Sequence, residues 1–157
     1  MSNLALQWND EYIRYDRAIP RLNTPISTHH ASECLTAGAN IWQEARHMRQ
    51  PSAEIDGEMA VLDYKVKQME AEIEMCKLRV TYYIYLSNHY FEKLRQGDTF
   101  MYVKSAFDNW NSEKSRLQKL EDEFRDLYLQ KELGQLHTQN DESGLFYMQD
   151  NMSNFHM

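Results

Sequence analysis

The centre of the chain, residues 87–107, reads SNHYFEKLRQGDTFMYVKSAF and connects two long apolar ladders. The first ladder alternates spacings of four and three residues and is interrupted only by Ser87. Its apolar members are Ile55, Met59, Leu62, Val66, Met69, Ile73, Cys76, Val80, Tyr83, Tyr90 and Leu94. The second ladder runs through Val103, Phe107, Trp110, Leu117, Leu120, Phe124 and Leu127. A mean period of about 3.5 residues is typical of helices that pack as coiled coils.

Gly97 and Asp98 separate the two ladders and break their pattern. Two long amphipathic helices with so short a connection fold back on each other. Residues 52–133 therefore predict an all-α fold built on a long antiparallel, coiled-coil-like helical hairpin, with its turn at residues 97–99.

The two ladders also predict one register for the hairpin. A turn centred near residue 98 aligns residues of the first helix with residues of the second: Ile73 with Phe124, Cys76 with Leu120, and Ser87 with Trp110. The small residue of the first ladder then faces the largest residue of the second, which is how packed layers interdigitate.

Two further helices are expected before the hairpin and packed against it. The spacing of Leu4, Trp8 and Tyr12 predicts a helix that ends before Pro20. A second helix is expected from about residue 29 to residue 49, with an apolar face of Leu35, Ile41, Trp42, Ala45 and Met48. Gly38 in its middle is unexpected, because glycine weakens a helix relative to alanine. It indicates a hinge or a close crossing with another helix, and we favour the crossing.

The sequence predicts a single helical domain over residues 1–134 and a mobile C-terminal arm over residues 135–157. Gly134 is expected to end the return helix, and polar residues follow it. The tetrad Leu-Phe-Tyr-Met at residues 145–148 interrupts this polar arm. An apolar segment of this kind could dock on a neighbouring subunit. Alternatively it folds back on its own bundle or makes no contact of its own, and these alternatives stay open.

Apolar side chains near the turn outnumber what a two-helix seam can bury. The N-terminal helices, a second copy of the chain or another protein could cover them. We predict that these residues and the tetrad of the arm form a protein interface, consisting of Tyr82, Tyr85, Phe91, Phe100, Tyr102, Leu145, Phe146, Tyr147 and Met148.

Composition narrows the class of protein. The net charge is −7, and no segment carries the basic stripe that direct nucleic-acid binding requires. No apolar run is long enough for a transmembrane helix, and the first residues do not have the pattern of a signal peptide. We expect a cytoplasmic protein, or one within a particle assembled in the cytoplasm. The two cysteines do not suggest a disulfide framework, and Cys76 lies on the apolar seam.

Few residues suggest catalysis or metal binding. Glu44 and His47 have the Glu-x-x-His spacing of helix-bundle di-iron sites, but that site needs a second such motif. His30 and Cys34 are one helical turn apart, without an evident set of further zinc ligands. No phosphate-binding loop or nucleophile motif is present. We expect no enzyme activity, cofactor, metal or small-molecule substrate.

These observations favour a non-enzymatic structural protein that self-associates or docks into a larger assembly. Its acidic composition, with 10 Tyr and 9 Met, would suit a component of a viral or phage particle. One alternative is an acidic inhibitor or adaptor that binds the basic surface of a nucleic-acid-handling protein. Another is a helix-bundle metal-dependent enzyme that uses Glu44, His47 and His89.

Overall fold

A computed structural model describes the backbone of residues 3–22 and 27–150, and the side chains of residues 5–22 and 27–136. Within these ranges every regular element is a helix: α1 (Asn3–Ala18), α2 (Thr28–Arg46), α3 (Ala53–Asp56), α4 (Glu58–Arg95) and α5 (Phe100–Asp150). The two longest, α4 and α5, pack against each other, and α2 packs against α4. The predicted all-α hairpin is confirmed.

The turn of the hairpin lies where the sequence predicts it. Gly97 has a φ of +96°, a left-handed conformation that favours glycine. Its N–H donates to the Leu94 carbonyl at 3.0 Å, and the Asp98 N–H donates to the Lys93 carbonyl at 3.1 Å. This pair of bonds is a Schellman motif, which ends α4 and satisfies two of its last carbonyl groups. The Asp98 carboxylate then accepts the N–H of Thr99, just before α5 begins.

The core follows the predicted register. Midway along the hairpin, Ile73 and Cys76 of α4 are buried with Leu120 of α5, and Phe124 packs against them. The predicted alignment of these residues is therefore confirmed. Ser87 is fully buried on the same seam. Its hydroxyl donates to the Tyr83 carbonyl at 2.8 Å, which is how a polar side chain is accommodated there.

The first helix of the hairpin does not begin as predicted. The apolar ladder continues through Ile55 and Met59, so it predicts one helix from Ala53, but Gly57 separates α3 from α4. The φ of Gly57 is +92°, which is incompatible with a continuous right-handed helix. The backbone N–H of Asp56 donates to the Ser52 carbonyl at 2.8 Å, which closes the single turn of α3. The N–H of Ser52 donates in return to the Asp56 carboxylate at 2.9 Å.

The predicted end of the return helix at Gly134 is wrong, because α5 continues to Asp150. Gly134 does not have a positive φ. A Cβ atom at this position would lie 3.0 Å from the Met59 sulfur, so Gly134 makes room for a side chain of α4 instead of ending the helix. Residues 135–150, which we call the arm helix, continue past the first turn of α4. Residues 151–157 of the predicted arm lie outside the described residues.

Helix α2 contacts α4 mainly through small side chains, and of the five residues of its predicted apolar face only Ala45 is buried. Its buried residues are Ala31, Cys34, Gly38 and Ala45. A Cβ on Gly38 would lie 3.3 Å from the Met75 carbonyl oxygen, so the close crossing is confirmed. Leu35 and Trp42 lie to the side and remain half-buried, and Met48 is 39% exposed.

Helix α1 was expected on the hairpin, and it packs at the turn end. Tyr15 and Ile19 are buried in a core cluster with Phe91 and Leu94 of α4 and with Val103 and Phe107 of α5. The loop after α1 is attached to α4, because the Asn88 side chain donates to the Pro20 carbonyl at 2.8 Å. A search of the described residues finds no helix with the length and apolarity needed to cross a membrane.

Candidate interaction surfaces

Helix α1 covers much of the aromatic surface near the turn. Tyr12 stacks on Phe91 with ring centroids 4.9 Å apart, and Tyr15 meets Phe107 edge-on at 5.7 Å. Trp8 lies edge-on to Phe100 at 5.6 Å. The sequence left open whether the N-terminal helices, a second copy of the chain or another protein cover this surface. The N-terminal helix α1 covers part of it. Phe91 is only 2% exposed, so its predicted place in an interface is wrong and it belongs to the core.

The other predicted interface residues near the turn lie at or close to the surface. Phe100 is half-buried against Trp8 and Tyr15. Tyr82 and Tyr85 are half-buried, and the Tyr85 hydroxyl bonds to the Thr28 hydroxyl at the start of α2. Tyr102 is 50% exposed and stacks on Tyr90. These contacts tie most of the turn-end aromatics to their own chain.

The apolar tetrad at residues 145–148 lies within the backbone of α5. The side chains of Leu145, Phe146, Tyr147 and Met148 are outside the described residues. The predicted interface role of this tetrad therefore stays a prediction.

A charged network crosses the seam between α4 and α5, and the sequence reading missed it. Glu113 of α5 has a side chain only 14% exposed. Its carboxylate accepts a hydrogen bond from the Cys76 thiol at 3.2 Å and lies 3.7 Å from the Arg79 guanidinium. Nearby, Arg116 pairs with Glu72 at 2.7 Å. The gap in the second ladder between Trp110 and Leu117 is the sequence signal that this stretch of the seam is not purely apolar.

This network has a structural role. Burial raises the pKa of the Cys76 thiol to about 12, and the hydrogen bond to Glu113 adds to the effect. The thiol is therefore protonated at neutral pH and is a poor nucleophile. Because each partner of the Glu113 carboxylate lies on α4, the network favours the observed alignment of the two helices.

The outward face of α5 changes from polar to apolar along its length. Ser115, Gln118 and Asp122 are exposed on this face. Further along it, Leu129, Leu133 and Leu136 are 57%, 56% and 53% exposed. At 100° per residue these leucines lie on the side of α5 opposite Leu127, which belongs to the seam with α4. We call them the leucine face.

The leucine face was missed because the sequence reading followed only the seam. The available signal is the spacing of four and three residues between the three leucines, which repeats the coiled-coil pattern on a second side of the helix. Three neighbouring leucines that are each more than half exposed are typical of a surface that contacts a partner.

A groove of about 630 Å³ lies between α2 and α4. Its apolar lining includes Leu35, Trp42 and Met75, and its cationic lining includes Arg46 and Arg79. The groove exists because α2 meets α4 through small residues, which leaves the larger side chains of α2 beside the contact. We call it the α2–α4 groove.

The candidate metal ligands do not form a site in the described part of the chain. The His30 imidazole and the Cys34 thiol are 4.0 Å apart, as their spacing predicts. Glu44 and His47 lie at the end of α2, whereas His89 lies on α4 and stacks on Tyr85. Among the described residues, no three His, Cys, Asp or Glu side chains are placed to hold a metal ion. Both cysteines are buried and free.

Comparison with known proteins finds no match: no family model, curated protein or solved structure is significantly similar to this chain.

Proposed function

We propose that this chain is a non-enzymatic assembly protein that associates with copies of itself, alone or within a larger complex. The observation that carries the proposal is the leucine face. The outward side of α5 is polar up to Asp126 and carries three exposed leucines after it. Contact with another chain would bury the apolar area of these leucines.

The position of this surface also supports self-association. The leucine face leads directly into the arm helix, which continues past the first turn of α4. Ile55, 81% exposed, adds an apolar side chain in the turn that precedes α4. Exposed apolar residues also occur near the turn, where Met101 is 72% and Tyr102 50% exposed, but the three leucines differ from these in lying one helical turn apart on a single side of α5.

A component of a viral or phage particle remains the finer hypothesis. It rests on the acidic, Tyr- and Met-rich composition.

The test compares two lysine substitutions on the outward side of α5. Leu133→Lys places a charge in the leucine face, and we expect it to lower the native mass measured by light scattering, because desolvating an unpaired charge opposes association. Ser115→Lys is the matched control, since Ser115 is exposed on the polar part of the same side. It should leave the native mass unchanged. Equal native masses for Leu133→Lys and the unmodified chain would contradict the proposal.

A further inference from the structure

We propose that the α2–α4 groove of one copy binds the arm helix of a second copy, so that the chain assembles head to tail. This inference rests on the proposed self-association and names the surface that receives the partner.

The groove has the features of a binding site for a partly apolar segment. Trp42 is half-buried and offers a large ring to an incoming side chain. Arg46 is exposed on the rim, and no ion pair is found for it among the described residues. Tryptophan and arginine are the residue types that most often dominate the energetics of protein interfaces. An apolar lining with the exposed Arg46 on its rim fits a segment that carries apolar side chains and carboxylates.

The C-terminal residues of this chain have that chemistry. Residues 135–157 contain three acidic residues, Asp141, Glu142 and Asp150, and no lysine or arginine. The apolar tetrad at residues 145–148 lies between these acids. The four residues are consecutive, so in a helix they are spread around its circumference and do not form one apolar side. The segment therefore complements the groove in charge, and it brings several apolar side chains to it.

The path of α5 indicates that the occupant comes from another copy. The groove lies beside Arg79, whose guanidinium contacts Glu113 of α5. From Glu113, α5 continues as one helix to Asp150. The tetrad begins about 30 residues after Glu113. At 1.5 Å per residue, it therefore lies roughly 45 Å from Glu113 and from the groove beside it. A straight arm helix cannot reach its own groove.

The donor and the acceptor are then different surfaces of the same chain. Association of this kind is heterologous, and it produces a closed ring or an open filament according to the rotation between successive copies. This property allows a test in which each half of the contact is disabled in a different chain.

The experiment uses three full-length variants and one truncated chain. Arg46→Glu, alone and combined with Trp42→Ala, disables the groove but keeps the arm. Deletion of residues 143–157 removes the tetrad but keeps the groove. Lys119→Glu is the matched control for Arg46→Glu, since it reverses an exposed charge on α5 away from the groove. Circular dichroism establishes that each chain is folded.

We expect Arg46→Glu to raise the concentration needed for half-association by about tenfold, and Lys119→Glu to leave it unchanged. The double variant and the truncated chain should each associate much more weakly alone than the unmodified chain. Mixed together, they should form a species of two chains, because one supplies an intact arm and the other an intact groove.

Three results would overturn the inference. If the unmodified chain associates but Arg46→Glu and the double variant associate equally well, the groove is not the acceptor and the proposed function stands on another surface. A folded mixture that contains only monomers, while the unmodified chain associates, would also reject the arm–groove contact. An unmodified chain that stays monomeric would reject the proposed function together with this inference.

Discussion

Ile73 is the residue at which the packing of the hairpin can be tested most simply. It is 7% exposed and lies between α4 and α5 with Cys76 and Leu120. Ile73→Asp would place an unpaired carboxylate in this seam, and we expect it to cost about 3–5 kcal/mol of the free energy of unfolding. The midpoint of thermal unfolding should fall by roughly 10 °C or more.

Ile55→Asp is the matched control for this substitution. Ile55 is 81% exposed, so the same change there should alter the free energy of unfolding by no more than about 0.5 kcal/mol. Phe124→Asp should have an intermediate effect, because Phe124 is half-buried. Unfolding midpoints that are equal for Ile73→Asp and Ile55→Asp would contradict the seam described here.

Two glycines in the hairpin should respond in opposite directions to alanine. Gly134 lies inside α5 without a positive φ, and its missing Cβ faces only the flexible end of Met59. Gly134→Ala should therefore raise the free energy of unfolding by about 0.5–1 kcal/mol, measured by urea denaturation.

Gly97→Ala is the comparison. The φ of Gly97 is +96° in the Schellman motif that ends α4, so a Cβ there is strained. We expect a loss of about 1 kcal/mol. A similar loss of stability for both substitutions would contradict the description of Gly134 as a helical residue that faces a Met59 side chain able to shift.

Asp63 connects the beginning of α4 to the middle of α5 and should make the stability of the hairpin depend on pH. Its carboxylate pairs with Lys131 at 2.8 Å and with Lys67 at 3.2 Å. The hydrogen bond from Lys131, followed by the one from Lys67, lowers the pKa of Asp63 below its ordinary value of 3.8.

The sign of the effect follows from this direction. Because the folded state has the lower pKa, the stabilising contribution is fully present above pH 3.8 and is lost as the pH falls through the pKa of the folded state. Urea denaturation below pH 3.8 should show a smaller acid-induced loss for Asp63→Asn than for the unmodified chain. Asp126→Asn, at an exposed carboxylate, is the control. An unchanged acid dependence in Asp63→Asn would contradict this role of the ion pairs.

At the scale of helices, the sequence predicts those features that depend on periodicity. The two ladders and Gly97 are sufficient for the hairpin, its turn and the alignment of Cys76 with Leu120. The break at Gly57 could not be predicted in this way, because the apolar spacing continues across it. The extension of α5 through Gly134 was missed because a glycine that makes room for a neighbouring side chain looks the same in sequence as one that ends a helix.

The contact face of α2 was missed for a different physical reason. Counting apolar residues favours Leu35 and Trp42, but two helices approach most closely where side chains are small. Ala31 and Gly38 therefore face α4, and the larger residues line the α2–α4 groove. The α2–α4 groove exists because these larger side chains lie beside the helix contact and not within it. The spacing of apolar residues along the sequence does not reveal this arrangement.

At the scale of the whole molecule, the two ends of the hairpin differ. The turn end is covered by the aromatic residues of α1, which bury Phe91 and contact Phe100. The opposite end combines the leucine face with the arm helix. Met101, at 72%, and Tyr102, at 50%, are nevertheless exposed near the turn, so the two ends differ in their covering helix and not in the presence of exposed apolar residues.

The proposed function depends on self-association of the unmodified chain, and the native mass of that chain tests it most directly. Sedimentation velocity over a series from low-micromolar to high-micromolar concentration should show a mass that rises well above the 18.8 kDa of one chain. A single species of 18.8 kDa at every concentration would contradict the account.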